Sequence, residues 1–427
     1  MHPLRTYRLL GVAFAMLLLA GCGGDAGETG DGRTVIRFNL LLISAGQVDH
    51  FKWVEQEYER LHPDIDVVFE QFPGSSLKDF EIKLRLRFAS GQAPDIFFIN
   101  DRVVAEFARF GLLSPAPDFI TAYADSMSLN PAIRDAPYFG GVSYGITSDI
   151  APTVLYYNKD MFREAGLDPE RPPRTWSELL DYADRLTVRS PDGAIQRAGF
   201  SLRKTGFKPG TAEKWLTFLF SAGGEAFDEA GTRALLNSPQ GRKAIDFYDQ
   251  VLFKRHIDAV TLEGDQQGFG QQRVAMFLRE VHVVRWMQEN YPDIDFGVAP
   301  IPAEEGSYSA GGTYIWSVSG DSPHQEEAWR LIDFMMSHEV YDRYAIVGGA
   351  LPTIKSVAAL PRYQDDPYLR TFLAQDLRVL KPFPRMQQAL EIVGAYIERF
   401  CYGQIAANEV LPRMEEDLNA LLAPNRP

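Results

Sequence analysis

The chain has 427 residues, of which 45% are hydrophobic and 23% are charged, and its formal net charge is −14. This length exceeds what a single hydrophobic core usually holds, so two lobes are expected. The negative charge argues against a nucleic-acid partner, because such a partner requires a basic surface.

The N-terminal segment has the layout of an export signal followed by a tether. Two arginines precede an apolar run at residues 9–20, which is too short to span a membrane as a helix. Residues 19–22, Leu-Ala-Gly-Cys, resemble the lipobox of bacterial lipoproteins, which implies a signal peptide at residues 1–21 and lipidation of Cys22. A plain signal peptide with an incidental cysteine is the alternative. Residues 22–32 are rich in glycine and acidic residues and are typical of a flexible tether.

Strands and helices alternate in the segment that follows. Apolar runs bounded by turn residues predict strands, and apolar residues at helical spacing predict helices between them. Such alternation is typical of an α/β fold with a mostly parallel sheet and helices on both faces. The predicted strands are residues 34–42, 65–70 and 95–99, and the predicted helices are residues 51–61 and 77–89.

A buried strand at residues 152–157 comes after a glycine-rich turn in the middle of the chain. Pro152 and the residue before it are excluded from a central strand, so the backbone is expected to bend there. Asp160 is a candidate N-cap for the short helix that follows. A bend followed by a new buried strand is typical of a crossing between two lobes.

The second half of the sequence continues the mixed pattern. Thr175 and Glu178 form a capping box at the start of one helix. Cys401 lies in an apolar helical pattern and is predicted to be buried. The predicted helices are residues 176–187, 212–222, 238–253, 281–291, 325–337 and 411–422, and the predicted strands are residues 199–202, 271–277, 296–300 and 311–318.

Several short stretches, in a fixed order behind the lipobox, carry a family resemblance. They are FASGQAPDI at 88–96, VLYYNKDMF at 154–162, TWSEL at 175–179, VAM at 274–276 and FGVAPIP at 296–302. In these stretches the chain resembles extracellular solute-binding proteins of ABC importers, of the maltose-binding-protein-like class that binds sugars and oligosaccharides. The resemblance covers essentially all of residues 33–422.

The resemblance implies a periplasmic-binding-protein fold, with two α/β lobes of mostly parallel sheets, a ligand cleft between them and a hinge at residues 146–151. Lobe 1 is expected at 33–147 plus 311–340, and lobe 2 at 148–310 plus 341–427. It implies a monomer that binds a carbohydrate ligand and ABC permease subunits, and that is held at the outer side of a bacterial membrane by a lipid anchor on Cys22. No enzyme activity, cofactor or metal is expected.

Sugar binding requires aromatic rings against C–H faces and charged or amide groups for the hydroxyls. In open α/β sheets such groups follow the carboxyl ends of strands. Asp101 and Arg102 follow a predicted strand, and in maltose-type relatives a pair of this kind holds sugar hydroxyls; a helix N-cap beside a surface arginine is the alternative. The other candidates after strands are Ser44, Gln47, Asn100, Gly312, Thr313 and Tyr314.

Aromatic platforms are harder to assign. Trp215, with Glu213 as polar partner, lies where relatives often place a stacking ring, although a core position is equally compatible with the pattern. The family's Gly-x-Trp element after Ala275-Met276 is absent, and Arg279, His282 and Trp286 are the candidates to replace it. Arg385 is a further candidate from the late segment that relatives bring to the cleft.

The sequence gives weaker evidence for other functions. GVSYG at 141–145 matches a nucleophile elbow, but no helix pattern follows it directly, so a turn is expected. The histidines lack metal-ligand spacing. A secreted glycoside hydrolase would need two opposed carboxylates, for which Asp101 and Glu280 are candidates. A binding protein for a non-sugar solute, such as a polyol phosphate or a peptide, is the remaining alternative.

Overall fold

The structure is a computed structural model in which residues 32–41, 45–72 and 77–423 are described. The signal peptide, Cys22 and Ser44 lie outside the described residues. The strands are β1 (Thr34–Leu40), β2 (Ile65–Gln71), β3 (Ile96–Asn100), β4 (Tyr138–Phe139), β5 (Val142–Ser143), β6 (Ile146–Ile150), β7 (Thr153–Asn158), β8 (Val188–Arg189), β9 (Ile195–Arg197), β10 (Met276–Glu280), β11 (Phe296–Ala299), β12 (Tyr308–Ala310), β13 (Thr313–Val318) and β14 (Asp376–Arg378).

Helices surround these strands, and Gln250–Lys254 forms a π-helical turn after α9. The helices are α1 (Ala45–Leu61), α2 (Leu77–Ala89), α3 (Asp101–Arg109), α4 (Asp118–Met127), α5 (Pro131–Asp135), α6 (Lys159–Glu164), α7 (Trp176–Leu186), α8 (Lys208–Ser221), α9 (Pro239–Asp249), α10 (Asp265–Gly270), α11 (His282–Asn290), α12 (Gln325–Met336), α13 (His338–Gly348), α14 (Lys355–Ala358), α15 (Pro361–Gln364), α16 (Pro367–Ala374), α17 (Met386–Cys401) and α18 (Ala407–Leu422).

The first sheet has five strands in the order β2-β1-β3-β13-β6. The strands β1, β2 and β3 pair in parallel, as the alternating pattern predicted. The strand β13 pairs antiparallel with both β3 and β6, because the chain returns to this sheet from the opposite direction late in the sequence. The segment at 146–151 was predicted as a hinge, but its residues Ile146–Ile150 form the strand β6 at the edge of this sheet.

The second sheet has three strands in the order β10-β7-β11, and both pairings are antiparallel. The parallel arrangement expected for both lobes is therefore absent from this sheet; parallel pairing joins β1, β2 and β3, and it also joins the short strands β12 and β14. All six residues of β7 are buried, which agrees with the apolar run from which this strand was predicted. The helix α6, which follows β7, is capped at its N-terminus by Asn158, whose side chain accepts a hydrogen bond from the Met161 amide. The N-cap predicted at Asp160 is therefore wrong by two residues.

Two large hydrophobic cores organise the molecule. The first core packs around the first sheet and includes Phe51 and Trp316. The second core packs around α8 and includes Trp215 and Phe218, and a smaller cluster covers the other face of β7. Residues of the 341–363 segment pack in the first core, whereas the sequence assigned 341–427 to the second lobe. The reason is that α13 packs on α1, so its apolar face joins the sheet that α1 covers.

Within the described residues, no helix is long and apolar enough to cross a membrane. Cys401 is buried and free, as predicted. Its position in the second core accounts for the burial, which raises the pKa of its thiol to about 12.

Candidate functional site

The carboxyl end of β3 places three polar residues at the start of α3. Asn100 caps this helix, since its side chain accepts a hydrogen bond from the Arg102 amide at 3.1 Å. Asn100, Asp101 and Arg102 are each at most 6% exposed, although all three are polar. Buried polar groups require partners. The alternative of a capping Asp101 beside a surface arginine is therefore wrong on both counts.

The backbone of the β12–β13 connection closes over this group. The Thr313 amide donates to Asp101 Oδ1 at 3.3 Å. A Cβ atom at Gly312 would lie 2.9 Å from the Asn100 Nδ2 atom, which is closer than side chains normally tolerate, so glycine permits this approach. Burial raises the pKa of Asp101 to about 7, with the Arg102 charge opposing the shift.

An ion pair joins the two cores at this point. Arg102 Nη1 lies 2.5 Å from Glu213 Oε1, which belongs to α8. The Arg102 guanidinium also lies 5.5 Å from the centre of the Phe207 ring, just before the start of α8. Burial lowers the pKa of Arg102, but the charges of Glu213 and Asp101 outweigh it and the net pKa is raised. Arg102 and Glu213, both candidates from the sequence, are thus direct partners.

Tyr314 lies at the centre of the charged groups. Burial raises the pKa of its hydroxyl, and the charges of Arg102, Asp149, Glu213 and Glu280 all act on it. Asp149 pairs with Tyr314 in the β6–β13 register. Burial raises the pKa of Asp149 to about 7, while hydrogen bonds from the Ile150 and Leu351 amides oppose the shift. Sequence reasoning missed Asp149 because it lies in the segment interpreted as a hinge.

The second core contributes a further set of charges, of which the sequence singled out Arg279 and Glu280 but not Lys214. Lys214 is paired with Glu280 at the end of β10, and its ammonium donates to Thr153 Oγ1 at 2.8 Å. Arg279 Nη1 lies 2.7 Å from Asp265, and Arg279 Nε lies 3.1 Å from Glu280. Burial disfavours the charge on Glu280, but Lys214 and Arg279 more than compensate and hold its pKa well below the usual range.

Gln47 reaches the same region from α1. Its side chain hydrogen-bonds to Tyr344, whose pKa is raised first by burial and then by the charge of Asp149. A Cβ atom at Gly348 would lie 3.3 Å from Gln47 Nε2. The structure therefore brings Gln47 towards the Asp149 side of the site.

The remaining candidates have other partners. Trp215 is fully buried in the second core, so it presents no face to a ligand. Arg385 donates to the Leu421 carbonyl at the end of α18, at 2.7 Å. Trp286 packs against Tyr291, with 5.4 Å between ring centres. His282 is exposed, and its Nε2 atom lies 3.4 Å from Arg279.

The cleft, as the term is used below, is the space between the two cores beside the Arg102–Glu213 pair. Its volume is about 10 Å³, so the two cores lie in contact here and leave room for about one water molecule. Arg378, Phe220 and Leu380 also line an adjoining groove of about 530 Å³. In the described part of the chain, no group of three or more His, Cys, Asp or Glu side chains is placed to hold a metal ion.

The family comparison gives this geometry a context. Residues 52–342 match the family model described as bacterial extracellular solute-binding protein. This match covers more than half of the chain, and the chain belongs to that family. The family resemblance carried by the short sequence stretches is therefore confirmed.

Curated relatives and solved structures agree with this assignment. The maltotriose-binding protein of Pyrococcus abyssi is 24% identical over 81% of this chain and 72% of its own length. The sn-glycerol-3-phosphate-binding periplasmic protein of Escherichia coli is 28% identical over 63% of this chain and 65% of its own length. The crystal structure of the cyclic alpha-maltosyl-1,6-maltose binding protein from Arthrobacter globiformis has a TM-score of 0.79 at 20% identity, covering 92% of this chain and 99% of that one. This likeness confirms the α/β periplasmic-binding-protein fold.

Proposed function

We propose that this protein is the substrate-binding lipoprotein of an ABC transporter, which captures a sugar or oligosaccharide in the cleft and delivers it to the membrane permease. The Arg102–Glu213 contact carries the proposal, because it brings polar side chains of both cores to one cavity. Charged groups held in a desolvated cleft form strong hydrogen bonds with hydroxyls. The names of the maltotriose-binding and maltosyl-maltose-binding relatives support a carbohydrate ligand.

The proposal includes two lobes that close on the ligand by hinge motion. Lobe 1 is proposed at 33–147 plus 311–340 and lobe 2 at the rest of the folded chain, with 341–363 packing on lobe 1. Two crossings between them run side by side, since the Ala151 amide donates to the Gly312 carbonyl at 3.2 Å. Neighbouring crossings of this kind support a hinge at Ala151–Pro152 and Gly311–Gly312.

The membrane anchor is proposed at Cys22, on the basis of the lipobox alone. Two or more acyl chains are needed for stable attachment. Mass spectrometry of the mature protein is expected to show an N-terminal diacylated or triacylated cysteine. A Cys22→Ser variant that stays in the membrane fraction to the same extent as the wild type would contradict this part of the proposal.

A ligand screen tests the function as a whole. A bound ligand at about 100 times its Kd adds roughly 2.7 kcal/mol to the free energy of unfolding, so a thermal-shift panel of mono-, di- and oligosaccharides is expected to contain hits. Each hit is then incubated with protein and analysed by chromatography. Recovery of the intact saccharide is expected for a binding protein, whereas released monosaccharide would indicate a glycoside hydrolase. A panel without any shift would contradict carbohydrate binding.

A further inference from the structure

The charged side chains around the cleft are joined in pairs, and this limits the kind of ligand that the cleft accepts. We propose that the cleft selects an uncharged saccharide over solutes that carry phosphate, sulfate or carboxylate groups. Glu213 and Glu280 are the residues that determine this selectivity, because they occupy the cations that an anionic ligand would need. The inference rests on the proposed function, since it concerns the ligand of the same cleft.

The pairing begins with Arg102. Its Nη1 atom contacts Glu213 at 2.5 Å, and the two side chains are 6% and 16% exposed. In the closed form, an anion bound to Arg102 through the same atom would take the place of Glu213 and leave that carboxylate without its partner. Breaking a desolvated ion pair in this way is strongly unfavourable.

Lys214 of α8, Arg279 of β10 and Arg378 of the cleft wall also have carboxylate partners, although the pair of Arg378 is exposed. Lys214, only 3% exposed, is paired with Glu280. Arg279 contacts both Asp265 and Glu280. Arg378 lines the cleft and lies 3.2 Å from Glu225, outside the second core. Each of these four cations therefore has a carboxylate partner already.

The carboxylates, by contrast, outnumber the cations around Tyr314. Asp101 and Asp149 form no ion pair within the described residues, and the charges of Asp149, Glu213 and Glu280 all act on the Tyr314 hydroxyl. A like charge placed next to them costs free energy, and the cost grows in a desolvated cavity. Above pH 7, the raised pKa of Asp101 and of Asp149, this surplus of negative charge repels anions, whereas an uncharged hydroxyl group is not repelled.

Saccharide hydroxyl groups can bind the hydrogen-bond donors and acceptors that the ion pairs do not use. An arginine has five N–H donors, and one oxygen of a carboxylate can accept more than one hydrogen bond. Arg102 Nε and Thr313 Oγ1 are buried and have no hydrogen-bond partner in the structure. Both belong to the group around Asp101. A saccharide hydroxyl can hydrogen-bond to these atoms without breaking the Arg102–Glu213 pair. A phosphate that bound to the same atoms would add negative charge next to Glu213.

The test compares anion binding in the wild type and in a Glu213→Gln/Glu280→Gln double variant. Inorganic phosphate is titrated at constant ionic strength, with chloride as the balancing salt, and the melting temperature is followed. The wild type is expected to show no phosphate-dependent shift. The double variant is expected to bind phosphate at least tenfold more tightly. Glu305→Gln is the matched control, because it removes a carboxylate from an exposed ion pair with Lys243, and it is expected to behave like the wild type.

A second measurement keeps the proposal testable if the double variant does not fold, as judged by circular dichroism. The wild type is titrated with glycerol and sn-glycerol 3-phosphate, and with glucose and glucose 1-phosphate, at matched ionic strength. Tighter binding of either phosphate than of its unphosphorylated counterpart would overturn the proposal. A folded double variant without any gain in phosphate affinity would overturn it as well. Neither result would affect the membership of the solute-binding family, and the proposal of a carbohydrate ligand fails separately, if the saccharide panel gives no hit.

Discussion

Trp215 provides a sharp test of the structure, because its burial excludes the ligand contact considered for it from the sequence. It is fully buried in the second core. Replacing a buried tryptophan with alanine removes its transfer free energy and leaves a cavity, at a cost of about 3–5 kcal/mol. With an unfolding entropy of about 2.1 cal/mol/K per residue, a chain of this length has an unfolding entropy of roughly 0.9 kcal/mol/K, so the melting temperature should fall by about 3–6 °C.

The assay combines calorimetry with ligand titration by a saccharide from the screen. Trp215→Phe keeps most of the packed volume and loses an indole N–H that has no partner, so it is expected to cost about 1–2 kcal/mol. Ligand affinity of the folded variant should stay within about twofold of the wild type. Trp316→Phe in the first core is the matched control. A Trp215→Phe protein with unchanged stability and affinity reduced tenfold or more would refute the core placement.

Three further predictions concern pH and the crossing. His50 is buried with both ring nitrogens unpartnered in the structure, and burial, followed by the Arg343 charge, lowers its pKa to about 4. The unfolded chain then binds the proton at a higher pH than the folded chain does, so stability that is present above pH 6.5 is lost towards pH 4, by about 2 kcal/mol at pH 5. In His50→Leu, the urea-denaturation midpoint should depend less on pH in this range. Asp149 has a raised pKa, so it opposes folding increasingly as pH rises from 3.8 to about 7; Asp149→Asn should gain stability relative to the wild type at pH 8 but not at pH 4, and an equal effect at both would contradict this. Thr147→Pro should lower the free energy of unfolding by about 3 kcal/mol or more, since Thr147 is a buried strand residue. Wild-type stability in a circular dichroism melt would instead support the hinge predicted for this segment.

The sequence was most informative where local signals and tertiary environment agree. The helix at 77–89 was predicted with its observed ends. Half of the capping box at Thr175 is observed: the Glu178 amide donates to the threonine hydroxyl, while the Glu178 carboxylate accepts from the Arg174 amide. These features depend on residues close in the chain. The strand β6 was missed because only its pairing with β13, about 165 residues later, makes it a strand. Likewise, α13 joins the first core through its packing on α1, which no local pattern reports.

The site follows the same division. Asp101 and Arg102 were identified because they directly follow a predicted strand and resemble a pair that holds sugar hydroxyls in maltose-type relatives, and this signal is local. Their partner Glu213 was identified only as a companion of Trp215, which turned out to be a core residue. The role of Lys214 was missed since a lysine on an apolar helix gives no sign that it will be buried. What decides its position is Glu280, on a strand 66 residues away.

The ion pairs of Arg279 and Glu280 explain how this chain differs from the family pattern after Met276. The pattern places a glycine and a tryptophan there, and this chain places Arg279 and Glu280, whose charges meet Asp265 and Lys214. An aromatic platform binds a sugar through its apolar face, whereas a set of paired charges binds through hydrogen bonds of fixed direction. Directional bonds discriminate more strongly between hydroxyl arrangements than stacking does, because a mismatched hydroxyl leaves a buried partner unsatisfied. We therefore expect this cleft to accept a narrower range of saccharides than a cleft built on stacked aromatic rings.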